Sequence, residues 1–147
     1  MAEFNPNTKS FAACVEELKA AVGRASLDTR KIVTSQDAAS VKLRTELKCT
    51  NVPAGFTKWE LPVYLDKPSL MYISIGNPGV SVPEHSHDEG DGIRFIASGS
   101  IEYKGKELHA GDWMFIPAKT KYSFNVGPIG ATMFYCYCCC CGSHEAD

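Results

Sequence analysis

Apolar positions follow two rhythms along this chain, and the switch between them is its first structural signal. In residues 11–25, FAACVEELKAAVGRA, Phe11, Val15, Leu18 and Val22 recur at near-helical spacing. An amphipathic helix is predicted there, with Ser10 as its N-cap. Residues 26–40 are polar with little pattern and read as a connector or a short second helix. From residue 41 the period becomes two. VKLRTEL (41–47) alternates, residues 57–65 are β-rich around Trp59, and LMYISI (70–75) reads as a further strand. Short strands are then predicted over 80–87, 93–97, 100–103, 113–116, 122–126 and 131–138. Turn formers such as Asn77-Pro78-Gly79, Gly99, Lys104-Gly105 and Gly111-Asp112 separate them. Many short strands fenced by turns predict an all-β sandwich or barrel behind an N-terminal helical extension.

Composition narrows the picture without redirecting it. The 147 residues suit one domain around one core, and 44% hydrophobic with 22% charged residues is ordinary globular usage. A net charge of -2 gives no reason to expect nucleic acid or an anionic membrane surface as partner. No apolar run reaches about 18 residues, and MAEFNPNTKS lacks a charged-then-apolar signal pattern, so a cytoplasmic protein is expected. Of seven cysteines, five crowd into residues 136–141. Neighbouring cysteines close disulfides only with strain, and reduced thiols are expected. Cys136 and Cys138 read as small buried hydrophobes of the last strand, on one face with Phe134. Cys139, Cys140 and Cys141 are open between tail and soft-metal site, without the spacing of a zinc knuckle.

Two blocks carry the candidate chemistry. The first runs Gly79-Val-Ser-Val-Pro-Glu-His85-Ser-His87 and closes at Gly99; the second is Gly111-Asp-Trp-Met-Phe-Ile-Pro117, followed by Tyr122 and Asn125. They resemble the paired motifs of the cupin superfamily, G-x5-H-x-H-x3–4-E-x6-G and G-x5-P-x-G-x2-H-x3-N. The resemblance covers about residues 40–138. It implies a jelly-roll β-barrel, commonly a homodimer, holding a divalent ion in its lumen on three histidines and a glutamate. The expected organisation is a helical extension over 1–40, the barrel over 41–138 and a cysteine-rich tail over 139–147.

Two of those four ligands are missing. The glutamate position falls on Gly92, the histidine position on Tyr122, and the second motif's inner glycine on Lys119. His85 and His87 remain, and i, i+2 residues on a strand share a face. A third ligand would be Tyr122, Glu89 or Asp91, the last swung inward by a bulge. If Gly92 points inward, alternation sends Arg94 inward beside the histidines. A buried guanidinium needs an anionic partner, either an internal acid such as Glu60 or Glu102, or the carboxylate of a ligand held by its fork. Glycine at 92 would leave that ligand space. Tyr122 reads as barrel packing, metal ligand or general acid, and a facing His/Tyr pair is similar to that of some metal-free cupin epimerases. His109 is expected on the surface, and Phe95, Trp113, Phe115 and Phe124 as walls or outer packing.

The function expected first is a metal-dependent enzyme acting on a small anionic molecule, with dioxygenase-type chemistry. Iron(II) is the first ion considered, then zinc, nickel, manganese or copper. The alternatives are a non-catalytic ligand-binding or sensing barrel, and a metal-free isomerase or cyclase using a His/Tyr pair.

Overall fold

The computed structural model describes Asn5, residues 8–55 and residues 57–137. They form two compact units: the described parts of Met1–Asp28 with Asp37–Tyr64, and Thr29–Gln36 with Leu65–Asp147.

The first unit is helical. α1 (Phe11–Arg24) begins as predicted, the Ser10 side chain accepting from the Ala13 N–H at 3.2 Å, and it buries Leu18 and Ala21. α2 (Ala38–Glu46) overturns the strand expected over 41–47. Ser40 and Leu43 are buried at i, i+3 while Val41 is 55% exposed, so the helical period decides and the alternation is incidental. Lys42, Arg44 and Glu46 are good helix formers, and Arg24 of α1 pairs with Glu46. The strand expected over 57–65 reduces to one bridge, Lys48 to Trp59, with the Arg44 guanidinium 4.1 Å from the Trp59 ring centre. Trp59 finds its partner in a cation–π contact instead of a sheet.

The second unit is built on β1 (Val33–Thr34), β2 (Leu70–Gly76), β3 (Ser81–His85), β4 (Gly92–Tyr103), β5 (Lys106–His109), β6 (Trp113–Ile116) and β7 (Tyr122–Tyr137). All pairings are antiparallel. One row runs β1-β6-β4-β7-β2, using residues 92–99 of β4 and 131–137 of β7. The other runs β3-β7-β4-β5, using residues 122–126 of β7 and 100–103 of β4. Two sheets sharing two long strands that turn from one to the other make a double-sheet jelly roll. The all-β expectation holds, with four predicted short strands merged into two long ones.

The merging has a local cause. Gly99, the closing residue of the first block, has φ +71, and a Cβ there would lie 1.9 Å from the Gly130 carbonyl oxygen. Only glycine lets β4 pass this corner against β7 without breaking the pairing. Gly111 turns at φ +93, and Asp112 beside it accepts from the Ser35 hydroxyl at 2.7 Å and the His109 N–H at 2.9 Å. That aspartate ties β1 and the β5–β6 turn together. His109 is exposed, as expected.

Ile96, Ile101, Leu108, Met114 and Ile116 fill the core between the sheets. On the last strand the inward face is Met133, Tyr135 and Tyr137, whereas Phe134 is 38% exposed and Cys136 half-buried. The face expected to be buried is therefore the outer one, a register error of one residue. Cys138 to Cys141 and the tail lie outside the described residues. Among the described residues, no helix is long and apolar enough to cross a membrane.

Candidate functional site

One mouth of the jelly roll gathers the ends of several strands. His85 closes β3 opposite Tyr122, the first residue of β7, while Gly92 opens β4 opposite Tyr137, the last of β7. A register shift between Val82 and His85 bends β3 here. His87 follows in the loop, its carbonyl accepting from the Lys119 N–H at 2.8 Å. Lys119 stands where the motif has glycine, and its φ of +60 shows why glycine suits the position. The His85 and His87 rings meet edge to face with centroids 5.1 Å apart.

The Tyr122 hydroxyl is the hub. It lies 3.1 Å from His87 Nε2 and 2.9 Å from the Tyr137 hydroxyl, and accepts from Arg94 Nη2 at 3.4 Å. Burial, then the neighbouring His85 and the Arg94 charge, holds His87 below the ordinary histidine value, so its imidazole is neutral near pH 7. Burial pushes the Tyr137 phenol far above its usual range, outweighing the opposing pull of Arg94, and it keeps its proton. A hydrogen-bonded row thus runs through His87, Tyr122 and Tyr137. His85 is oriented separately, Nδ1 standing 2.8 Å from the Pro83 carbonyl; since a carbonyl only accepts, Nδ1 donates and Nε2 is left for another partner.

Arg94 points inward, 5% exposed. Its guanidinium is clamped between the rings of Phe124 and Tyr135, at 4.7 and 4.5 Å from their centres. Nη1 donates to the Met133 sulfur at 3.3 Å, and buried Nε has no hydrogen-bond partner. Neither expected acid pairs with it. Glu102 accepts from the Gly105 N–H and from Asn125, and Glu60 belongs to the helical unit. Among the described residues this buried cation faces sulfur, phenol and ring faces, and no carboxylate.

The other candidates stand apart. Asp91 Oδ1 accepts from the Ala118 N–H at 2.9 Å and braces the turn after β6, while Glu89 is exposed. The space expected above Gly92 is filled: a Cβ there would lie 1.9 Å from a ring carbon of Tyr137. Tyr137, Tyr135 and Met133 are the site residues that sequence reasoning missed. Their signal was the opposite alternation on β7, where two tyrosines find polar or cationic partners inside.

A resident divalent ion needs three or more converging donors. Among the described residues, no three of His, Cys, Asp or Glu come together for that purpose. His87 Nε2 is engaged by Tyr122, the glutamate slot holds a tyrosine ring, and a permanent guanidinium charge touches the same hydroxyl. Among the described residues, the donor set does not fit such an ion.

No family model matches the chain, and no curated protein matches it. Among solved structures, it is similar to a protein with a cupin-like fold from Ralstonia eutropha, at 20% identity over 46% of this chain and 49% of that one, with a TM-score of 0.42. It is also similar to a cupin protein from Bacteroides fragilis, at 29% identity over 59% of this chain and 75% of the other, with a TM-score of 0.41. An acetylacetone dioxygenase from Acinetobacter johnsonii aligns at 20% identity over 47% of this chain and 50% of that one, with a TM-score of 0.41. The matches span about half the length of the Ralstonia and Acinetobacter proteins. The two sequence blocks fall on β3–β4 and β6–β7 of a jelly roll established by its own strand pairing: the fold is cupin-like.

Proposed function

We propose that this chain is a metal-independent, cupin-like protein that binds a small organic anion, a carboxylate in the first instance, at Arg94. In this reading Tyr122 and His87 then move a proton on the bound molecule. One observation carries it: a buried guanidinium with an unpartnered Nε and no acid beside it. Burying such an ion uncompensated costs several kcal/mol, a burden a protein retains where a ligand completes the pairing. The Nε and Nη2 edge is the fork a carboxylate accepts from, and Nη2 already points toward Tyr122. A ligand on that fork lies beside a neutral imidazole and a phenol, which are a general base and a general acid.

This is the isomerase or cyclase alternative, preferred to metal-dependent oxygenation because the donor set is two imidazoles and phenols beside a fixed cation. The test is solvent exchange. Chelator-treated protein is incubated in D2O with a panel of small 2- and 3-oxo carboxylates, and deuterium uptake at carbon is followed by NMR. The reading expects uptake for some member, lost in Tyr122→Phe while binding survives. Binding with no exchange across the panel would favour a sensing barrel, and exchange only after added metal would return the site to metal chemistry.

We also propose that a second copy of this chain covers β2. This edge strand carries no charge from Leu70 to Gly76, and Met71, Ile73 and Ile75 are 70%, 73% and 77% exposed. Register places Ile73 beside Phe134 and Phe95 on one outer face. Among the described residues no strand pairs the outer edge of β2, and an open edge beside an apolar face is what soluble monomers avoid. Two such faces meet without like-charge repulsion, and a stable contact needs about 800 Å² from each partner.

A further inference from the structure

Position 92 is where the sequence pattern puts a metal-binding carboxylate, and the structure fills it from the neighbouring strand. Gly92 and Tyr137 are cross-strand partners, and the Tyr137 ring occupies the space a Cβ at 92 would need. A Cβ at 92 would meet ring carbons at 1.9, 2.0 and 2.9 Å, so no side chain can stand there while the ring is in place. The ring is firmly held. It is fully buried, its hydroxyl bonds Tyr122 at 2.9 Å, and its face packs against His87 with centroids 4.1 Å apart.

We infer that Tyr137 is a plug in the metal-ligand slot, a positioning residue that closes this lumen to an ion and holds Tyr122 and His87 for the guanidinium-centred site. The inference rests on the metal-independent reading proposed above. Three observations around this side chain agree. The carboxylate position is sterically closed, His87 is held between a ring and a hydroxyl with Nε2 engaged, and Tyr122, in the histidine slot, is bound to its neighbours. The positive charge that an ion would bring is already present on Arg94, whose Nη2 shares the same hydroxyl. Glycine at 92 is thus a pair with tyrosine at 137, and the two must change together.

The test uses cobalt(II), whose visible absorption reports ligand number, with full-length protein stripped by chelator. Wild type and Tyr137→Phe, which keeps the ring, are expected to show no cobalt bands that depend on His85 or His87; thiolate bands from the cysteine run at 136–141 are identified by their persistence in His85→Ala. The double variant Gly92→Glu/Tyr137→Ala opens the slot and supplies the carboxylate. It is expected to take up about one equivalent of cobalt, and to lose it on further replacement of His85 by alanine. Circular dichroism establishes that each variant is folded. Cobalt uptake by wild type through His85 and His87 would overturn the inference, as would a folded double variant that takes up none. Carboxylate binding to wild type is measured separately. Its loss would sink the proposed function and leave the assignment of Tyr137 standing.

Discussion

The Nε2 of His87 stands 3.1 Å from the hydroxyl of Tyr122, two residues brought together from a loop and the start of a strand 35 positions away. That contact engages one imidazole nitrogen of the His-x-His pair with the residue that stands at the second block's histidine position. It also couples the imidazole to the buried Arg94 through one oxygen.

Arg94 should be a stability liability in the unliganded protein. Its two ring contacts each return about 2 kcal/mol or more in a desolvated setting, which offsets part of the several kcal/mol for desolvating an ion without a carboxylate. Arg94→Met keeps an apolar stem in the clamp and is expected to stabilise the protein by about 1–4 kcal/mol. Urea unfolding of the two proteins checks this; a clear loss of stability would mean the charge is well compensated after all.

Gly92→Ala is expected to destabilise strongly, by about 1–3 kcal/mol or more, because a methyl group would enter the Tyr137 ring. Adding Tyr137→Ala should recover part of the loss, a coupling that a double-mutant cycle reads directly. Additive losses would show that the ring and the glycine do not share the space.

His87 gives the site a pH signature. Its folded value lies below the ordinary 6.5, chiefly through burial, so the unfolded chain takes up that proton first as pH falls. Stability on this account is unaffected above 6.5, drops as pH falls through it, and levels off once the folded imidazole is itself protonated. Subtracting the stability–pH curve of His87→Gln from that of wild type should leave a downward step with that sign. A flat difference would mean that His87 is not desolvated.

Lys119 carries left-handed backbone at φ +60. That conformation costs a non-glycine residue about 1–2 kcal/mol, against about 0.5–1 kcal/mol of extra chain entropy lost by glycine on folding. Lys119→Gly should therefore stabilise by up to about 1 kcal/mol, seen as a raised midpoint in urea. A lowered midpoint would show that the lysine side chain supplies more than its backbone loses.

If β2 is a self-association edge, a charge at its centre should dissociate it. Ile73→Lys is expected to shift the sedimentation equilibrium mass from dimer to monomer with the fold unchanged. A wild-type monomer at every concentration would remove the proposal.

Much of this architecture was legible because turns and glycines carry backbone information locally. Gly99 and Gly111 sit at the corners where the sequence blocks placed them, and Ser10 caps the helix it was read to cap. The errors came where two periods were both satisfied. VKLRTEL alternates, yet Ser40 and Leu43 also lie on one helical face, and tertiary burial chose the helix. On β7 both alternating faces are apolar enough to be inside, and a reading that buries Phe134, Cys136 and Cys138 leaves the pairing of Tyr137 with Gly92 unseen. Inward placement of Arg94 was legible from alternation; its lack of an acid was not, because that depends on which distant side chains fail to reach it.

The central claim, that the lumen uses a guanidinium in place of a metal, is tested most directly by calorimetric titration of small carboxylates into chelator-treated protein. The account predicts binding that persists with chelator present and falls at least about 100-fold in Arg94→Met, the loss of a bidentate charged contact worth about 3 kcal/mol. Binding that vanishes with chelator, or survives intact in Arg94→Met, would contradict it.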